Sequence, residues 1–217
     1  YELEIASTVD IIDANKKLAL YGGAHTGSVE KTSLKIYSGS YYRIYGGCYE
    51  GSVKGDTYVE VSGNKVNPNA AWTNDSSRSN VLVGGCYMGT VYGDTNLIIG
   101  KDAKFDIIVG GGYGSTAVSA ESPATNNVVG ATNIEFCGYA ASLFGGSFKG
   151  INGDTHIKMT GGEVYQIFGG CEGGYMVGDT DVQVLDGDVH RRIYGGCYNN
   201  YKNSAWTSEY QVTGQTN

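Results

Sequence analysis

The chain has 217 residues, 35 of them glycine, 18 tyrosine and only two proline, with 15 basic against 22 acidic side chains and a net charge of −7. Collagen is excluded, because the glycines keep no period of three and proline is scarce. No Lys/Arg block is present to meet a phosphate backbone or an anionic bilayer, and no apolar run approaches the roughly 18 residues of a membrane-spanning helix, so nucleic acid and membrane insertion are excluded as expectations.

Glycine, tyrosine, asparagine, threonine and valine together favour strands punctuated by tight turns. From the N-terminus, Val9 to Leu20 (VDIIDANKKLAL) reads as a short strand and a partial cap. A repeat opens at Leu20 with LYGGAHTGSVEKTSLKI and returns most clearly from Ile44 to Val61 as IYGGCYEGSVKGDTYVEV. An insertion follows, Asn64 to Asn80, and the repeat resumes at Val83 to Ile99 as VGGCYMGTVYGDTNLII. The next copy, IVGGGYGSTAV from Ile108, is interrupted by a second insertion, Ser115 to Asn127, and continues as VVGATNIEF. Phe144 to Met159 and Phe168 to Val184 are further copies, and a last one opens at Ile193 with IYGGCY before a third insertion, Asn199 to Tyr210.

The Gly-Gly pairs begin at Gly22, Gly46, Gly84, Gly110, Gly145, Gly169 and Gly195, in steps of 24, 38, 26, 35, 24 and 26 residues. The leucine and asparagine ladders of leucine-rich repeats are missing, and a propeller blade needs a longer unit. A base period of 24 to 26 residues fits one turn of a three-sided coil. After each GDT, alternate residues are apolar or Thr, as in Thr57, Val59, Val61 and Thr95, Leu97, Ile99, which is the pattern of a strand with one buried face. The sequence therefore predicts an all-β, right-handed parallel β-helix (a solenoid) of about seven coils, one domain over residues 1–217 with three loop insertions. Gly55, Gly93, Gly130, Gly153 and Gly178 precede the third strand of each coil and are expected to supply positive φ at the corner. Asp56, Asp94, Asp154 and Asp179 follow four of them, and each is expected to accept N–H bonds within its own turn.

Candidate binding residues come from the insertions and from repeated aromatics. Trp72 (AAWT) and Trp206 (SAWT) are the only tryptophans, and both lie in insertions. Each is either a sugar platform or protein hot spot, or an anchor holding its loop against the rod. Tyr49, Tyr87, Tyr113, Phe148 and Tyr198 form one aromatic row. Tyr21, Tyr45, Phe144, Phe168 and Tyr194 form a second, with Val83 and Val109 in its gaps. Such rows stabilise a sheet; a row facing outward would also suit a polysaccharide or a partner protein. Cys48, Cys86, Cys171 and Cys197 share one coil position; buried free thiols are the favoured reading, with pairs Cys48–Cys86 and Cys171–Cys197 as the alternative. A flat row of ligands is no zinc tetrahedron, and one carboxylate per coil is no calcium cage, so neither metal nor cofactor is expected. The densest charged segment, LDGDVHRRIY around Asp186, Asp188, His190, Arg191 and Arg192, reads as a solvated corner. No catalytic motif appears, and an enzyme is not expected.

The motif VYGG-x(3)-G-x-V-x-GDT-x-V-x-I, carried by IYGGCYEGSVKGDTYVEV and VGGCYMGTVYGDTNLII and more loosely by the other copies, resembles the Gly-rich repeats of large cell-surface, adhesin-like proteins of gut and rumen anaerobic bacteria. The resemblance covers nearly the whole chain. It implies a pectate-lyase-like fold, an extracellular place on the cell surface within a longer multidomain chain, and adhesion through contact with a glycan or a host or bacterial surface protein. It carries over no catalytic residue. The expected function is a non-catalytic rod that presents loops. A carbohydrate-binding module is the alternative, with a polysaccharide lyase or hydrolase behind it.

Overall fold

In the computed structural model, residues 1–6, 18–64, 80–114 and 127–198 are described, and among them there is no α-helix. One set of strands starts at or near the GDT corners: β1 (Glu2–Ile5), β3 (Thr32–Ile36), β5 (Thr57–Gly63), β7 (Thr95–Asp102) and β9 (Thr132–Phe136). A second set runs into the Gly-Gly pairs: β2 (Ala19–Tyr21), β4 (Arg43–Tyr45), β6 (Val81–Val83), β8 (Lys104–Val109) and β10 (Tyr139–Phe144). In β12 (Thr155–Phe168) and β14 (Thr180–Tyr194) the two kinds of strand run on into one another. Gly162 and Gly187 make those bends, with φ of 79° and 98°, a region that an L side chain enters only with strain.

The two sets form a single parallel sheet in the order β1-β3-β5-β7-β9-β12-β10-β8-β6-β4-β2, with β14 also paired to β12. The sheet turns through β12, so it is curled and solenoid-like rather than open. A third, narrow side is built from parallel bridges that link Val29, Val53, Val91, Val128 and Asn152 in turn, continued by β11 (Ile151–Asn152) against β13 (Tyr175–Met176). The register stacks equivalent residues, and Thr32, Thr57, Thr95, Thr132, Thr155 and Thr180 lie side by side across six strands.

Alternation along each strand then sets the interior. Leu34, Val59, Leu97, Ile134 and Ile157 form one buried ladder, and Ile44, Leu82, Ile108, Leu143 and Ile167 face them from the second set. Each fully buried aliphatic contributes about 1.5–3 kcal/mol, and it is buried only because the strands on either side cover it.

The threonines are buried for a polar reason. Each hydroxyl donates across the interior to the carbonyl of the first glycine of the next Gly-Gly pair: Thr32 to Gly46 (2.6 Å), Thr57 to Gly84 (2.7 Å), Thr95 to Gly110 (2.8 Å), Thr132 to Gly145 (2.5 Å), Thr155 to Gly169 (2.6 Å) and Thr180 to Gly195 (2.5 Å). Among the described residues no turn or loop backbone N–H reaches these carbonyls. The hydroxyl therefore removes a buried unsatisfied acceptor, a fault that costs about 1–3 kcal/mol.

The corner glycines correct the expectation placed on them. Gly55, Gly93, Gly130, Gly153 and Gly178 do not have positive φ. What requires glycine is a close approach. A Cβ on Gly93, Gly130 or Gly178 would stand 2.3 Å from the Oδ1 of Asp56, Asp94 or Asp154 of the preceding repeat. That carboxylate is the second correction, because it bonds forward to the next repeat: Asp56 accepts from the Asp94 N–H (3.1 Å), Asp94 from Ala131 (2.8 Å) and Asp154 from Asp179 (2.8 Å). The aspartates staple one corner to the next. A Lys31 ion pair at 3.2 Å and the N–H of Asp94 hold the Asp56 carboxyl below the usual range, the N–H having the larger effect.

The Gly-Gly pairs follow the same logic. A Cβ on the first glycine would meet the next first-glycine carbonyl at 2.0–2.4 Å. On the second glycine of four pairs it would meet a sulfur: Cys48 above Gly23, Cys86 above Gly47, Cys171 above Gly146 and Cys197 above Gly170. All five cysteines are free thiols. The sulfurs serve as acceptors in the stack, with Cys48 N–H donating to Cys86 Sγ and Cys171 N–H to Cys197 Sγ, both at 3.2 Å. Burial pushes the Cys171 thiol well above its ordinary value.

Candidate functional site

The outer face of the second set of strands carries the aromatics. Outward residues of these strands alternate with Ile44, Leu82 and their equivalents, so Tyr21, Tyr45, Val83, Val109, Phe144, Phe168 and Tyr194 stand in one row. Tyr21 and Tyr45 stack at 4.8 Å, Phe144 and Phe168 at 5.0 Å, and Phe168 and Tyr194 at 5.2 Å. Although this row faces outward, Tyr45 is fully buried. The chain doubles back after Gly-Gly and lays the other row over it.

That covering row contains three of the four tyrosines singled out for binding. Tyr49 stacks on Tyr87 at 5.1 Å, Tyr87 on Tyr113 at 5.8 Å, and Tyr113 on Phe148 at 4.7 Å, while His25 lies over the free face of Tyr49 at 4.8 Å. These rings cross the first row edge-on, at 86° for Tyr21–Tyr49 and 75° for Tyr45–Tyr87. Tyr198 does not join the column. Buried Glu172 occupies the intervening place, and Tyr198 packs instead on Phe168 at 4.8 Å. Trp72 and Trp206 lie outside the described residues.

Stacking has a consequence for recognition. A sugar ring needs the open face of an aromatic ring, and the faces of Tyr49, Tyr87 and Tyr113 are taken by their neighbours. All three remain half-buried, so the column offers edges and phenol groups rather than platforms. In the row beneath, burial pushes Tyr21 up to about 12 and Tyr45 higher still, which keeps these hydroxyls protonated.

Beside the aromatics runs a row that the sequence reading did not pick out. Register pairs Arg43 with Val81, Val81 with Ile107, Ile107 with Ser142, Ser142 with Gln166, and Gln166 with Arg192. Arg43 is enclosed by phenols. Its Cζ lies 4.8 Å from the ring centroids of both Tyr42 and Tyr113, and its Nη atoms reach Tyr45 and Tyr42 hydroxyls at a long 3.4 Å. Arg192 repeats the theme, with Cζ 6.0 Å from Tyr194 and 5.9 Å from Tyr198, and Nε donating to Gln166 at 2.9 Å. The signal for these two was present: the pentapeptide RIYGG occurs at Arg43 and again at Arg192.

The charged segment at the bend is dispersed. His190 lies 3.5 Å from Glu163, Arg191 stands over Tyr165, and Asp186 accepts the neighbouring Gly187 N–H. Among the described residues no group of three or more His, Cys, Asp or Glu converges as a metal site. Comparison of the chain with protein families, with curated proteins and with solved structures finds no match.

Proposed function

We propose that the chain is a right-handed parallel β-helix of seven coils, working as a non-catalytic surface-display module of an extracellular bacterial adhesin-like protein. The observation that carries this reading is the unbroken ladder of equivalent residues along the stack. It makes a stiff support whose two internal insertions are rooted at opposite ends of the strands that carry the aromatic face. One lies between Asn64 and Asn80 at the entry to β6. The other leaves after Gly114, directly beyond Tyr113. A rigid scaffold with loops flanking one face suits binding to a host or bacterial surface component. The experiment is adhesion of the purified chain to mucin, epithelial cells and bacterial cells, beside a variant in which residues 65–79 and 115–126 are replaced by short linkers. Adhesion that disappears with the loops supports the module. Equal adhesion without them, or depolymerisation of a polysaccharide by the chain, would sink it.

The second reading is a carbohydrate-binding module, favoured by the phenol-edged face between those loop roots. A glycan array read together with tryptophan fluorescence tests it. Saturable binding that is lost in W72A or W206A supports that reading, and a blank array removes it.

A further inference from the structure

We infer that the row from Arg43 to Arg192 is a track for a carboxylate-bearing polysaccharide lying along the stack. The inference rests on the carbohydrate-binding reading and adds the class of glycan.

The first ground is charge without a partner. Among the described residues neither arginine is ion-paired with a carboxylate, and the ionisable groups that bear on Arg43 are phenols. Arg43 Nε is buried with no hydrogen-bond partner, and its two phenol contacts are at the long limit. A guanidinium withdrawn from water and held between rings, with donors unused, is an unfavourable arrangement that an anion offsets. Arg192 differs in that its Nε is held by Gln166 at 2.9 Å, and on a chain of net charge −7 the two guanidiniums are local exceptions to a repulsive field.

The second ground is spacing. Five register steps separate Arg43 from Arg192, about 24 Å at the strand spacing of about 4.8 Å. One small anion cannot touch both, whereas a linear polymer running across the strands can. Between the arginines lie Val81, Ile107, Ser142 and Gln166, with Gln166 donating to Ser142 at 2.8 Å. Val81 is buried beneath the aromatics, and the half-buried Ile107, Ser142 and Gln166 offer apolar contact and amide and hydroxyl groups suited to sugar hydroxyls. The phenol edges of Tyr113 and Tyr198 stand over the two ends.

The third ground is where the acids are. On this face Asp106, Glu163 and Asp188 lie toward the start of the strands, one or more positions before the arginine row. They flank the track on the side away from Tyr113 and Tyr198, where Tyr139 and Tyr165 also stand. Lys104, His190 and Arg191 stand among these acids, with His190 3.5 Å from Glu163, so that edge presents no acidic stripe to repel a polyanion.

The experiment is calorimetric titration of the whole chain with alginate oligomers of graded length in EDTA, beside the same oligomers with their carboxyl groups reduced to alcohols. The expected result is binding of the acidic oligomers only, weakened by salt, with a jump in affinity once the oligomer spans both arginines. Arg43→Gln and Arg192→Gln should each lower the affinity of long oligomers at least tenfold and abolish the length dependence. Arg192 sits on the edge strand, so its variant keeps the test valid if Arg43→Gln perturbs folding. Equal binding of reduced and acidic oligomers, or of wild type and both variants, overturns the track while leaving a carbohydrate-binding module standing. Absence of alginate binding overturns the track as well, and if neutral glycans also fail to bind, the module reading goes with it.

Discussion

The Thr57 hydroxyl donates to the Gly84 carbonyl at 2.7 Å across 27 residues of sequence, and this one contact explains two letters of the repeat at once. The first glycine turns its carbonyl inward, where no loop N–H meets it. The Thr of GDT, one strand away, supplies the missing donor. Replacing Thr57 by Val keeps the shape and removes the donor, so stability should fall by about 1–3 kcal/mol. Thr57→Ser keeps the donor and loses only a methyl group, about 0.8 kcal/mol. Urea midpoints with unchanged slope measure both. A Val variant as stable as the Ser variant would show that the carbonyl finds another partner.

Gly84 is glycine because of its neighbour, and a pair of alanine substitutions separates that cause from backbone freedom. A Cβ on Gly84 would lie 2.1 Å from the Gly110 carbonyl oxygen, which is backbone and cannot rotate away. Gly84→Ala should therefore force the two repeats apart and cost at least about 1–3 kcal/mol, as overpacking does. At Gly63, in the extended part of β5, a Cβ would meet nothing closer than 3.4 Å. Gly63→Ala should be neutral or stabilising by up to about 1 kcal/mol, through the unfolded chain. Thermal melts of the two variants side by side provide the check.

The same residues show what can be read from sequence and what cannot. Alternation after the threonine of each repeat places Leu34, Val59, Leu97 and Ile134 inside, because a period of two has only one buried solution on a stacked sheet. The identity of the glycines was legible, but their cause was not. Positive φ is a property of one residue, whereas the approach of Asp56 Oδ1 to Gly93 exists only after two repeats are in register. The aspartates were misassigned for the same reason, since their acceptors serve the next repeat. Of the candidate site, the aromatic rows were legible as rows. That Tyr49, Tyr87 and Tyr113 cover Tyr45 depends on the chain doubling back after Gly-Gly, which no local pattern encodes. Arg192 was read only as part of a solvated corner and Arg43 not at all, because the two lie 149 positions apart in sequence and meet in one row only in space.

The buried phenols make stability sensitive to alkali. Burial, the largest cause, pushes Tyr21, Tyr41 and Tyr139 from 10.0 up to about 12 in the folded chain. Between these values the unfolded chain has released protons that the folded chain retains, so the unfolded state binds fewer protons and stability falls as pH rises. The contribution is fully present below pH 10 and is lost progressively from 10 to about 12. Denaturant midpoints across that window should decline, and Tyr41→Phe should flatten the decline. Midpoints independent of pH between 10 and 12 would contradict the burial of these hydroxyls.

One repeat departs from the others at two positions that touch, and the departure can be reversed. Where other repeats have Cys48 with Val53 or Cys86 with Val91, this one has Ser147 with Asn152. Both are fully buried, and the Ser147 hydroxyl is bonded to Asn152 Oδ1 while also accepting the Gly112 N–H at 2.9 Å. The Asn152 amide nitrogen has no partner. An isolated polar pair in an apolar ladder is thus satisfied on one side only, and a half-satisfied network is worse than an apolar one. Ser147→Cys with Asn152→Val together restores the chemistry of the neighbouring repeats and should raise stability by about 1–2 kcal/mol. Asn152→Val alone strips Ser147 of its acceptor and should gain less than the double change. A double-mutant cycle in urea measures the coupling. If the double variant is less stable than the parent, the amide is meeting a partner in solution, and this repeat holds a buried water that the valine would expel.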